Sequence, residues 1–452
     1  MSESTTRTLS EKLAARYAGM TYDKVSDANR KAVKRLLMDW LGVAVGGSQT
    51  ESGRIARAFA VEQEGKAQAQ VAGDKARVPM ANAAFANAIS SHSLELDDID
   101  VLALFHFSPP VYGAALAAAE GAGASGRDLV TALVAGCEMM ERASKAVNPS
   151  LRDRGYHTTP TTGVFGATVA AGKLLRLDPE KLTSALGLAG AQSAGLMEMY
   201  GPSMQKRFNP GPTARSGVTS ALMAQLGFTG TALIFEGERG WLRAYSDEYS
   251  VAPLDVVPAE DYNLDIEFKP YSCARPIHNA IDCALDIRKQ AGFDAAKVKA
   301  IVIERHPSWS KYHRNAEPTT YHEAQVSLPF SMAIALLEGK ALLEQYSDRN
   351  IRNPAVQRLA QMAAFETVEG MPRGVSVRIT ATQEDGRKFT SQVDYPKGSI
   401  QNPMSDDELR TKFMSLAGPV LGEGRAAELA DKAMNVEEIG NVVDLMKLTV
   451  VP

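Results

Sequence analysis

Runs of small apolar residues recur through the first half of the chain at helical spacing, and they constrain the fold more than any other feature. "GAALAAAEGAG", "GATVAAGKLL" and "SALGLAGAQSAGL" carry few side chains large enough to build a core alone. Helices of this kind must let neighbours approach closely, and a helix that is small and apolar on every side belongs in an interior. Longer stripes accompany them. Ser26 can cap a helix in which Val33, Leu36, Leu37, Trp40 and Leu41 fall on one face. Similar patterns predict helices from Val78 to Leu96, from Asp128 to Val147, and from Pro179, capped by Asp178, to about Met199. No fixed-period repeat of the solenoid kind accompanies them.

From about residue 261 the texture changes. "KVKAIVIERH" and "GVSVRITATQEDGRKFTSQVDYP" are dense in β-branched residues; in the second, Val375, Val377 and Ile379 alternate with polar partners, and Asp385-Gly386 is a hairpin turn signal. Between them, "TTYHEAQVSLPFSMAIALLEGK" opens with a capping box from Thr320 to Glu323 and reads as a helix bent or interrupted at Pro329. Helical patterning returns after Pro396, with a second capping box from Ser405 to Glu408. The expected fold is mainly α with a smaller α+β domain: a discontinuous helical domain of residues 1–265 and 400–452, and an inserted α+β lid of residues 266–399.

A chain of 452 residues has room for such a core. Its net charge of -4, without any long Lys/Arg run, speaks against nucleic acid as a partner. The stretch Met1 to Lys12 is polar, and no segment reaches the roughly 18 apolar residues of a membrane span, so a cytoplasmic location is expected. Cys137, Cys273 and Cys283 are too widely spaced for a zinc ribbon or a disulfide framework; Cys137 reads as a small buried hydrophobe, Cys283 lies within a helical pattern, and only Cys273 has surroundings of interest. There is no HExxH, no P-loop, no GxSxG elbow and no GxGxxG after a strand. Hydride transfer, phosphoryl transfer and serine hydrolysis lack their usual parts, and neither metal nor cofactor is expected.

Four segments share one local plan, a His or Lys ahead of a Pro/Ser/Thr/Gly breaker that opens a helix of small residues. They contain His106 ("HFSPPVYGAALAAAEG"), His157 ("GYHTTPTTGVFGATVAAGK"), Lys206 ("MQKRFNPGPTARSGVTSALMA") and Lys269 ("FKPYSCARPIHNAIDCAL"). A helix start exposes unpaired N–H groups and partial positive charge, which favour carboxylates, and Arg207, Arg215 and Arg275 nearby could grip carboxylates with two bonds each. Taken singly, each residue is an ordinary cap or surface group; their repetition suggests a polyanion pocket. Ahead of His106, Glu95, Asp97, Asp98 and Asp100 crowd together. Crowded carboxylates can supply a base, orient a histidine, bind a divalent ion or simply be a solvated turn; the oxygen spacing of a calcium loop is absent.

These same blocks, "HSLELDDID", "HFSPP", "GYHTTPTTGVFGATVAAGKLLRLDPEKLTSALGLAGAQSAGL", "MQKRFNPGPTARSGV" and "FKPYSCARPIHNAIDCAL", resemble the MmgE/PrpD family in order from about residue 8 to 450. That family includes 2-methylcitrate dehydratase, cis-aconitate decarboxylase and iminodisuccinate epimerase. The resemblance implies a helical domain with an α+β lid, a homodimer, no required cofactor, a small polycarboxylate substrate and an active site in the cleft between the domains. Carried over position by position, it implies site roles for His106, His157, Lys206, Lys269 and His278. Two positions depart from the family's "LDxDDT" pattern: its first Asp is Glu95 here and its closing Thr is Ile99. The "HPS" block reads His106-Phe107-Ser108, and the loop before it, "VLALF", is apolar. Losing a hydroxyl and gaining apolar bulk there should change which substrate group is accepted.

The chemistry implied is proton transfer beside a carboxylate, with the two histidines as acid and base, Lys206 and Lys269 stabilising an enediolate, and Glu95 or Asp98 orienting a histidine. A lyase, either dehydratase or decarboxylase, is the leading expectation. A cofactor-independent epimerase follows, and a non-catalytic helical scaffold is the reading from another class.

Overall fold

A computed structural model describes residues 7–100, 105–199, 203–257 and 262–451. The chain separates into two compact units, one comprising Met1–Met199, Gln205–Ile266 and Ser405–Pro452, the other Tyr200–Met204 and Glu267–Met404.

In the first unit, helix α1 (Asp27–Gly47) starts where the Ser26 side chain accepts the Asn29 N–H at 3.3 Å. Val33, Leu36, Leu37, Trp40 and Leu41 are fully buried along it, as their spacing predicts. Then follow α2 (Met80–His92), α3 (Ser108–Ala122), α4 (Gly126–Val147), α5 (Thr158–Leu174), α6 (Pro179–Gly190) and α7 (Pro210–Gln225). α5 is buried from Thr158 through Gly172 and packs against α3, α4 and α7. Its composition is the reason it can lie there. A Cβ added at Gly166 would stand 2.6 Å from the Gly136 carbonyl oxygen on α4, and one at Gly217 on α7 would stand 2.5 Å from the Ala167 Cβ. Such distances are reached only where a side chain is missing.

Two expected boundaries move. Val78 belongs to a two-residue strand β2 (Arg77–Val78) paired antiparallel with β1 (Ala69–Gln70), and α2 runs only from Met80, after Pro79, to His92. The acidic residues after His92 are therefore in a turn, outside the helix. α6 ends at Gly190 and not near Met199, because Gly195 takes φ +127° and its carbonyl turns to accept the His157 N–H at 3.1 Å. Two helices close the unit, Asp406–Leu421 and Glu423–Met434, the first opened by the Ser405/Glu408 capping box.

The second unit holds a four-stranded sheet built from β3 (Val298–Arg305), β4 (Ala363–Thr367), β5 (Val377–Gln383) and β6 (Lys388–Val393), in the order β4-β3-β5-β6. Ile303 pairs with Ile379 across an antiparallel ladder and with Phe365 across a parallel one. Val377, Ile379 and Ala381 are fully buried, Val375 precedes the strand, and Gly386 at φ +85° turns the β5–β6 hairpin. Helices α8 (His278–Lys289) and α9 (Leu328–Glu338) pack together over this core. Pro329 does not bend a helix. It lies in the first turn of α9, behind the Ser327 cap, and the capping box at Thr320 opens a separate turn, Tyr321–Ala324.

All three cysteines are buried, and they form no disulfide with one another. Among the described residues, no helix is long and apolar enough to cross a membrane.

Candidate active site

The first unit gathers its polar interior where α2 ends and α3 and α5 begin. His92 closes α2, and Glu95 reverses the chain with φ +57°, a left-handed conformation that costs a glutamate about 1 kcal/mol. Asp100 and Phe105 then pair across a short antiparallel bridge. The apolar residues 101–104 between them, expected to add bulk beside the site, lie outside the described residues.

His106 follows this bridge. Its ring nitrogen Nδ1 stands 2.6 Å from the Asp98 carbonyl oxygen and 3.0 Å from Asp97 Oδ2. Its backbone N–H donates to Thr159 Oγ1 at 3.1 Å, tying the loop to the first turn of α5. The Asp98 carboxylate accepts the N–H groups of Phe107 and Ser108, at 2.7 and 3.0 Å, where α3 begins. Burial, and then the neighbouring Asp97, push the Asp98 carboxyl up to about 6. Asp98 thus orients His106 through its carbonyl, while its carboxylate holds the head of α3.

The sequence pattern assigned no role to His92 and no pairing to Asp97. His92 Nδ1 lies 2.8 Å from Asp97 Oδ2, and its ring meets that of His106 edge to face, centroids 4.9 Å apart. Burial lowers His92 to about 4, against the opposing pull of Asp97. The only signals for this residue are its place at the last turn of a small-residue helix and its five-residue separation from Asp97.

His157 occupies the position before the first residue of α5. Its Nδ1 is 2.9 Å from Asn209 Nδ2, and the same amide nitrogen lies 3.1 Å from Met199 Sδ. Burial holds His157 well below the usual imidazole range, reinforced by His92, Lys206 and His106 and opposed by Glu95. Lys206 and Arg207, buried in the short turn Gln205–Phe208, both bond the Glu95 carboxylate. Glu95 therefore binds cations and does not orient a histidine. Ile99 is partly buried.

His106, His157 and Lys206 keep 7, 5 and 8% of their surface exposed, whereas His92, Asp97 and Asp98 keep none. The first three can be reached by a ligand; the others act behind them. Arg215 is exposed on α7 and is not brought into this cluster.

In the second unit, Lys269 is fully buried. Arg275 bonds Glu267 Oε2 at 2.9 and 3.2 Å and donates to the Lys397 carbonyl at 2.9 Å. It also donates to His278 Nδ1 at 3.1 Å, while His278 Nε2 donates to the Cys273 carbonyl at 3.2 Å. Arg275 and His278 thus brace the backbone of the "KPYSC" block, and the Arg275 charge is met by Glu267.

The MmgE/PrpD N-terminal domain family matches residues 11–253, and the MmgE/PrpD C-terminal domain family matches residues 271–438. The chain belongs to the MmgE/PrpD family. Curated relatives include the cis-aconitate decarboxylase of Homo sapiens, 26% identical over 452 residues, covering 96% of this chain and 92% of that protein. The cis-aconitate decarboxylase of Aspergillus terreus is 26% identical over 400 residues, 81% of this chain and 80% of its own. The cis-aconitate decarboxylase-like protein oryM of Aspergillus oryzae is 27% identical over 445 residues, 92% of each chain.

In this MmgE/PrpD chain, one trio among the described residues has the composition of a metal site: His92, Asp97 and His106 present ligand atoms within 4.8 Å of one another. The contacts of 2.8 and 3.0 Å to the shared Oδ2 are hydrogen-bond lengths, and His106 Nδ1 is also committed to a carbonyl. With His92 Nδ1 bonded to Asp97 and His106 Nδ1 to the Asp98 carbonyl, the trio is described as a hydrogen-bonded chain.

Proposed function

We propose that this MmgE/PrpD protein is a lyase that moves a proton at a carbon beside a carboxylate of a small di- or tricarboxylic acid, ending in decarboxylation or dehydration. One observation carries the reading: the two accessible imidazoles are held in opposite tautomers. A carbonyl and a carboxylate oxygen can only accept, so His106 Nδ1 carries the proton and its Nε2 is left as a base. The Asn209 amide donates, so His157 Nδ1 is the acceptor and its Nε2 carries the proton, making it an acid. Base and acid are thus present together, without any proton having to be moved beforehand.

Two cis-aconitate decarboxylases and one cis-aconitate decarboxylase-like protein among the relatives support the lyase class. In decarboxylation the C–C bond to the leaving carboxylate breaks, CO₂ departs, and the carbanion takes its proton from His157. In dehydration His106 removes the proton next to a carboxylate while a β-hydroxyl leaves as water with the proton of His157. Lys206 and Arg207 share one glutamate, so this trio has one net positive charge to offer a substrate carboxylate. For Lys269, in the second unit, the family resemblance implies a role in stabilising an enediolate. A base and an acid of fixed tautomer also suit epimerisation, which keeps a cofactor-independent epimerase as the second reading.

The test is a thermal-shift screen with citrate, cis-aconitate, methylcitrate, iminodisuccinate and tartrate, followed by NMR of any stabilising acid in D₂O. A lyase gives deuterated product with lost CO₂ or water; an epimerase gives solvent exchange with the carbon skeleton intact. His106→Ala and His157→Ala should fold and lose turnover by roughly 10²–10⁴-fold. Wild-type turnover in both would end the proposal, and absence of any shift or exchange would favour a scaffold.

A further inference from the structure

We propose that His92 is a positioning residue for His106, acting through a carboxylate that the two imidazoles share. Asp97 Oδ2 accepts the His92 Nδ1–H at 2.8 Å and lies 3.0 Å from His106 Nδ1, whose own hydrogen bond goes to the Asp98 carbonyl at 2.6 Å, so one carboxylate stands against both rings. The arrangement is closed to solvent, since His92 and Asp97 have no exposed surface. His92 is held there for this contact: its other nitrogen, Nε2, is buried without a hydrogen-bond partner, so Nδ1–H to Asp97 is the polar bond its side chain makes. A ring of that kind inside a helix end, with half its polar capacity unmet, costs stability that an apolar residue would not.

The consequence falls on His106. When His106 Nε2 takes a proton, the resulting imidazolium is stabilised through Nδ1 by Asp97 and by the Asp98 carbonyl. The His92 N–H on the same oxygen takes up part of the Asp97 charge that faces His106. It also fixes the carboxylate so that the His106 ring cannot rotate away from its tautomer-setting contacts. The groups that bear on His106 are Asp97 and Asp98 on the preceding turn, His92 at the end of α2, His157 at the head of α5, and Lys206 with Glu95, which act on the neighbouring histidines.

The inference rests on the proposed role of His106, and its test separates the two. The experiment is NMR titration of the full chain labelled with ¹⁵N-histidine, alongside turnover of cis-aconitate. His92→Phe removes the donor and keeps the bulk; His92→Asn keeps an N–H at the Nδ1 position; His92→Gln displaces it toward Nε2 and replaces the Phe variant if that fails to fold. The titration midpoint of His106 should rise by about half to one pH unit in His92→Phe or His92→Gln and return to the wild-type value in His92→Asn. Turnover should fall about tenfold or more in the donor-displaced variants with KM unchanged, and recover in His92→Asn. A His106 midpoint that stays put in all three overturns the inference, whatever the activity does. So does loss of activity on dialysis against a chelator with recovery on Zn²⁺ or Mg²⁺. Full turnover in His106→Ala would instead overturn the function assigned above while leaving the NMR coupling measurable.

Discussion

His92 and Asp98 are buried next to the same carboxylate, yet their protonation should pull stability in opposite directions as the solution is acidified. His92 is held at about 4 against an ordinary 6.5. Between those values an unfolded chain binds a proton that the folded protein refuses, so stability is lost as pH falls through the window. The loss is 2.5 units at about 1.36 kcal/mol each, or about 3 kcal/mol in all. Asp98 is raised to about 6 from 3.8, so in the window from about 6 down to 3.8 the folded protein takes up the proton first. Stability is gained there as pH falls, by 2.2 units, again about 3 kcal/mol. In the wild type the two nearly cancel between about pH 6 and 4. Single variants should uncover each. His92→Asn should become relatively more stable on going from pH 6.5 to 4.5, and Asp98→Asn relatively less stable, each diverging from wild type by about 2 kcal/mol over that range. Urea unfolding followed by tryptophan fluorescence measures this, since Trp40 and Trp241 are buried in the first unit and report on it. If either variant keeps a stability profile parallel to wild type across this range, the assignment of those two groups as buried titrating partners is wrong.

Removing the charge that Lys206 and Arg207 share, by Glu95→Gln, should destabilise the first unit by about 3 kcal/mol, because two buried cations lose their counter-ion. Citrate should then raise the melting temperature of Glu95→Gln more than that of wild type, and an equal rise in both would count against the trio as a carboxylate site. Gly166→Ala should cost about 1–3 kcal/mol in chemical unfolding, since the added Cβ must clear the Gly136 carbonyl from 2.6 Å; a neutral result would mean that α4 and α5 separate freely. Lys269→Met should fold, because it replaces a fully buried ammonium by a stem of similar size, and should lower kcat by at least about tenfold; unchanged kcat would remove Lys269 from the chemistry.

What could be read from the residues was local chemistry. Ser26, Asp178, Ser405 with Glu408, and Thr320 with Glu323 each cap a helical segment, because a cap needs only a side-chain oxygen and the N–H groups two or three residues on. Where helices stop was less legible. α6 ends because Gly195 must turn its carbonyl toward His157, a demand from another part of the chain. Strand β4, "AAFET", lies at a sheet edge with most of its residues partly or fully exposed, so no alternation betrays it. In the site, the histidines and Lys206 were legible from their place before helix starts. Their pairing was not. Which carboxylate meets which cation depends on the reversal at Glu95, and nothing in a glutamate announces φ +57°.

That reversal has an electrostatic result that the residue types alone conceal. It turns Glu95 toward Lys206 and Arg207 and leaves Asp97 to the imidazoles, so the acidic turn is divided between two tasks. On the proposed mechanism, proton removal by His106 would build positive charge beside Asp97, while the negative charge left on the substrate carboxylate would be met by the surplus cation of the Glu95 trio. Each developing charge has a fixed partner of opposite sign already in place, so little reorganisation is needed when the proton moves. Had Glu95 been the residue on His106, as a simple reading of the acidic block suggests, the two cations would share no carboxylate and the base would sit closer to them, where protonating it would be harder.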